Sequence, residues 1–149
     1  MAHIVEQMTP VSILNPQTTD GGPETDYLDM RDCHTAYLVV NLTQAAAHET
    51  TITVQEAEDG TGTGVGTVAN NVRIWSDVDV DDDGETLDRR TDGNNYSVPN
   101  EDDNMLVVFQ VNAAALSGDN THIRLTFQDS SQATNFASVV AYKQARYSA

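Results

Sequence analysis

The chain has 149 residues, with 23 acidic residues against 7 basic ones and a formal net charge of -16. Phosphate backbones and anionic membranes are bound through clustered Lys/Arg that displace counterions, so a surface this acidic excludes nucleic acid and membrane as partners. Lys143 is the single lysine, and aspartate crowds Asp77 to Asp83 and Asp102-Asp103. At molar salt the screening length falls to about 3 Å and the self-repulsion of such a surface largely disappears. Low lysine with abundant aspartate therefore marks a protein of a salt-saturated environment.

A chain of this length is one domain with a real core. Its apolar runs all fall short of the roughly 18 residues of a membrane-spanning helix. Met1 to Glu6 lacks the basic and long apolar regions of a secretory signal. A single cysteine, Cys33, excludes an intrachain disulfide framework, and it reads as a small packed residue.

In chain order, residues 1–30 read as an extended N-terminal arm. Pro10, Pro16, Pro23 and the Gly21-Gly22 pair interrupt regular structure, with Val11, Ile13 and Leu14 between them. Residues 31–149 read as a β domain. Ala36 to Thr43 is a β-rich run. Thr50 to Glu56 alternates, with Ile52 and Val54 inward and Thr51, Thr53 and Gln55 outward. Val72 to Trp75, Tyr96 to Val98, Met105 to Val111, Ile123 to Phe127 and Ser138 to Tyr142 follow. Gly60 to Gly66, Asp83-Gly84, Asp92 to Asn95 and Gly118 to Asn120 supply turns. Ala113 to Leu116 suggests one helical turn. Some seven or eight short strands with little helix define an all-β chain, a single small β-sandwich or β-barrel with an extended arm. Tyr37, Trp75, Phe109, Phe127 and Tyr142 lie in strands and read as core.

Chemistry-bearing patterns are sparse. Asp79-Val80-Asp81-Asp82-Asp83-Gly84 matches the opening of a calcium loop, but Arg90 stands where an EF-hand needs its bidentate glutamate. A looser site for Ca2+ or another hard cation at Asp79, Asp81 and Asp83, with Asp88 as a further ligand, stays open beside a plain hydrated acidic loop. His3, His34, His48 and His122 lack metal-ligand spacing. There is no nucleophile elbow and no phosphate-binding glycine loop. The chain reads as a non-enzyme without a cofactor.

Several segments, taken together and in order, carry a family resemblance. They are Leu42 to Thr53, Ile74-Trp75 with Leu87 and Arg90 to Asp92, Gln110 to Leu116, Asp129 to Ser138, and Lys143 to Tyr147. Spanning about Asp26 to Tyr147, they resemble small structural proteins of tailed double-stranded DNA viruses, the capsid decoration or cement proteins. The acidity suits a virus of haloarchaea. The resemblance implies a virion protein on the outer capsid surface. Its partners would be the major capsid protein and copies of itself, as a homotrimer. Ile4, Val5, Val11, Ile13 and Leu14 of the arm, with Arg146 and Tyr147, are the candidate contacts to shell or neighbour; the alternative for the arm is that it covers an edge of its own sheet. Competing readings are a tail-tube or head–tail connector subunit, and a calcium- or carbohydrate-binding β-sandwich module.

Overall fold

The computed structural model describes residues 3–82 and 86–145. One helical turn, α1 (Ile4–Gln7), leads into β1 (Met8–Thr18), β2 (Leu28–Asp29) and β3 (Cys33–Thr43). Then come β4 (Thr51–Ala57), β5 (Gly66–Thr67), β6 (Arg73–Asp77), β7 (Asp88–Arg89) and β8 (Asn95–Ser97). β9 (Asn104–Asn112) runs into a 3-10 turn at Ala113–Ala115, and β10 (His122–Phe127) and β11 (Phe136–Ala145) close the chain. The strands make two antiparallel sheets. One is six-stranded in the order β1-β11-β3-β9-β6-β7; the other runs β2-β10-β4-β5, with β8 also beside β4. Both sheets keep open edges, so the fold is a sandwich and the barrel alternative is set aside.

The strands expected from Ala36 onward are present, most of them longer by a residue or more at their ends. The short β2, β5 and β7 carry no pattern of their own; each is held by a longer neighbour. The N-terminal segment is extended, but it lies along its own domain. β1 pairs with β11 from Met8↔Gln144 to Thr18↔Phe136, and β2 pairs with β10. Pro10 and Pro16 sit inside β1 without breaking it because β1 is an edge strand, where a missing N–H need not leave a partner unbonded.

A β-bulge decides what β1 contributes. Ser12 pairs with Val140 and Leu14 with the adjacent Val139, so Ile13 is an extra residue in the ladder. Strict alternation would send only one of Ile13 and Leu14 inward. With the bulge both enter the core, at 4% and 5% exposure. The Asp26 N–H donates to the Ile13 carbonyl at 2.8 Å, which fixes the bulged backbone.

The core lies between the sheets. Leu38, Val40 and Leu42 of β3, with Phe109 of β9, are fully buried in one cluster with Ile52 and Val54 of β4 and Leu125 of β10. Each such side chain stabilises the fold by about 1.5–3 kcal/mol relative to exposure. Cys33 is buried there too, as a packed residue. The turn after β1 depends on Gly22. Its φ is +68°, and a Cβ there would stand 2.8 Å from the Phe127 carbonyl oxygen, so a larger residue is strained twice over. Asp129 ties this turn down by accepting hydrogen bonds from the Gly21 N–H (2.7 Å) and the Ser131 N–H (2.8 Å).

If β1 is part of the core, Ile13→Ala should destabilise the protein by roughly 2–4 kcal/mol. Equilibrium denaturation in molar salt reads this directly. An unchanged midpoint would show that the segment is not held in the sandwich.

Candidate interaction surface

Directly paired residues of neighbouring strands share a face of their sheet, so the register assigns every side chain to the core or to the outside. The outer face of the β4/β10 sheet is polar. Gln55 and Thr53 of β4 pair with Arg124 and Thr126 of β10. Arg124 donates to Gln55 Oε1 (2.8 Å) and Glu24 (2.7 Å), and its guanidinium lies 4.8 Å from the Tyr27 ring centroid. Thr51 Oγ1 and Ser97 Oγ share a hydrogen bond of 2.7 Å. This is an ordinary solvated face of an antiparallel sandwich.

The outer face of the six-stranded sheet is different. Its central row runs Val140, Val39, Val108, Trp75, Arg89 through successive pairings across β11, β3, β9, β6 and β7. The next row runs Tyr142, Tyr37, Gln110, Arg73. The Arg89 guanidinium stands 5.0 Å from the Trp75 ring centroid, a cation–π contact. Arg89 is held there by donating to the carbonyls of Ile74 (3.2 Å) and Arg90 (2.7 Å) and to the Asp92 carboxylate. Over β11, β3 and β9 the surface dips into a depression of about 390 Å³ lined by Met8, Tyr37, Val39, Val108, Tyr142 and Gln144. Among the described residues, Asp77 is the one carboxylate at an outward position of these strands.

This corrects the expectation for the aromatic residues. Phe109 and Phe127 are core. Tyr37, Trp75 and Tyr142 are half-buried on the outside, because each pairs with an outward residue. A signal for this was present in the sequence: Thr35, Asn41 and Thr43 share the parity of Tyr37 and Val39, and Gln110 and Asn112 share that of Leu106 and Val108.

The structure scatters the other candidate residues. Ile13 and Leu14 are in the core, which removes them from any partner's reach, and Val11 is partly buried against it. Ile4 and Val5 lie in α1, where Val5 is 64% exposed. Arg146 and Tyr147 lie outside the described residues. So does Asp83. Asp79 is half-buried beside the start of β9, and the Asp81 carboxylate accepts from Asn104 Nδ2 at 2.9 Å. Asp88 lies 3.9 Å from Arg90. Among the described residues no three His, Cys, Asp or Glu side chains converge as a metal-binding group. The buried Glu56, which no sequence pattern singled out, accepts hydrogen bonds from the Ser117 N–H (3.2 Å) and hydroxyl, a satisfied structural carboxylate.

No family model matches the chain, and no curated protein is similar to it in sequence. Among solved structures, the sandwich is shared with the SPBc2 prophage-derived protein YomS, at TM-score 0.54 and 9% identity over 91% of both chains. A putative sugar binding protein from Bacteroides thetaiotaomicron is more distant, at TM-score 0.33 and 11% identity over 90% of this chain and 82% of that one. The likeness to YomS is one of fold.

The acidic loop carries its own electrostatic cost. Lost hydration, and then the carboxylates of Asp103, Asp82, Asp81 and Asp77, raise the Asp79 pKa above its ordinary value. A raised folded-state pKa means that the ionised form opposes folding at neutral pH, and that this opposition fades as pH falls through the folded value. Asp79→Asn should therefore raise Tm at neutral pH at the lowest salt in which the chain stays folded. The gain should shrink in molar salt, where screening acts over about 3 Å. A lowered Tm in both solvents would instead mark the carboxylate as a needed ligand.

Proposed function

We propose that this chain is a structural virion protein, a capsid decoration subunit that binds the outer surface of the major capsid protein shell and stabilises it in brine. The observation that carries this reading is the contrast between its two sheet faces on a chain of net charge -16. One face is polar and suited to solvent. The other offers aromatic and aliphatic side chains almost free of carboxylates, as a surface meant for protein contact does. The resemblance of the ordered segments to decoration proteins, and a shared sandwich with a prophage-derived protein, support it.

Two measurements test the reading. Circular dichroism should record loss of β-structure on dialysis to dilute buffer and its return in molar sodium chloride; an unchanged spectrum overturns adaptation to brine. Antibody labelling of purified virions should decorate the capsid exterior. Label on the tail would favour the tail-tube or connector alternative, and no label on virions would remove the virion reading altogether.

A further inference from the structure

Elsewhere a chain this acidic repels its own copies, yet the outer face of the six-stranded sheet is nearly stripped of carboxylates. Its charges on β6 are also arranged with symmetry, while Arg89, in the Trp75 row, is offset within its own copy by Asp92. Along β6 the outward residues are Arg73, Trp75 and Asp77, a cation and an anion equally spaced on either side of the aromatic centre. Arg73 pairs across to Gln110 and Asp77 to Leu106, so they mark opposite ends of the face, with the Trp75–Val108–Val39–Val140 row between them.

From this we infer that the outer face of the six-stranded sheet binds a second copy of this chain, face to face, about a two-fold axis. Place the axis between the two faces, across the strands at the level of the Trp75 row. It reverses strand direction, so each β6 lies over its mate running the opposite way. Arg73 then meets the partner's Asp77, and Asp77 meets the partner's Arg73. The Val39 and Val108 surfaces stack on their own counterparts. The contact is self-complementary, as an isologous interface must be. Charge favours this occupant over other proteins of the same brine, because the pairing of opposite charges is built into one surface.

The size of the face is compatible. With strands about 4.8 Å apart and outward residues about 7 Å apart, the face spans roughly 24 Å by 20 Å. Two such faces together would cover on the order of 1,000 Å², near the lower bound for a specific interface. The pair should therefore be reversible and should strengthen with salt, because screening weakens the repulsion of the two acidic bodies more than it weakens an apolar contact. This arrangement joins copies by twos, whereas the family resemblance implies threes.

Pairing and shell binding draw on the same face, so the dimer is the form of the free chain and gives way where a copy docks on the shell; the inference is tested on the isolated full-length chain in molar sodium chloride. Sedimentation velocity across a concentration series should show a monomer–dimer equilibrium that shifts to monomer as salt falls within the range where circular dichroism reports a folded chain. Val39→Asp, at the centre of the face, should weaken dimerisation at least 100-fold. Because a core-adjacent change can harm folding, the decisive variants are at the rim. Arg73→Asp alone should weaken the dimer by 10-fold or more, and Arg73→Asp with Asp77→Arg should restore it. A monomer at all concentrations, a trimer, or a dimer indifferent to Val39→Asp and Arg73→Asp overturns the inference. Dimers of a chain absent from virions would overturn only the decoration reading.

Discussion

Side chains on a strand alternate between the two faces of their sheet, and in β3, β9 and β11 both sets are substantially apolar. That pleat constrains everything else in the molecule. Leu38, Val40 and Leu42 go inward to meet Ile52, Val54 and Leu125, and they are fully buried. Tyr37 and Val39, one residue out of phase, must then go outward. Among the described residues no second layer lies over them: the other sheet packs against the inner face, and β1 extends the same sheet at its edge. The apolar outer face follows from the core; its near freedom from carboxylates does not, and that is what points to contact with another protein.

Among the described residues, the carboxylates leave the core and, apart from Asp77 at its rim, this face intact. Asp77 ends β6 at the rim of the face, Asp79 to Asp82 follow it before β7, and Asp81 reaches the first residue of β9. Asp29 sits at the opposite sheet's edge, in a multidentate pair with Arg31, which holds its carboxyl well below the usual range. Loops and edges can hydrate a carboxylate that a strand interior cannot, so a strongly charged chain of this kind still builds an ordinary sandwich core. Most basic side chains among the described residues are engaged locally. Lys143 pairs with Asp32 at 2.6 Å, Arg124 with Glu24, and Arg89 with Asp92 while capping Trp75.

The strands that sequence makes legible are those with one polar and one apolar face. Thr51 to Gln55 is the clear case, and Ile52 and Val54 are inward as its alternation requires. The longer runs in β3 and β9 were legible as strands but not in orientation, because Tyr37, Val39 and Val108 look as core-like as Leu38, Val40 and Phe109. The acidic loop was visible as a motif, yet a motif says nothing of which carboxylates converge. The N-terminal segment was harder still. Its prolines argue against a strand in the middle of a sheet, and only its place at the edge removes that objection.

The sequence by itself determined the class of fold and the electrostatic character of the surface. Both are sums over local preferences: β-branched runs between turn residues, and 23 acidic residues on a 149-residue chain. What the tertiary structure alone decided was which side of each apolar strand became core. It also decided that Ile13 and Leu14 are both inside. Those outcomes depend on register and on a bulge against β11, which are set by pairing between segments far apart in the chain, more than a hundred residues for β1 and β11. No periodicity within a single segment can carry that information.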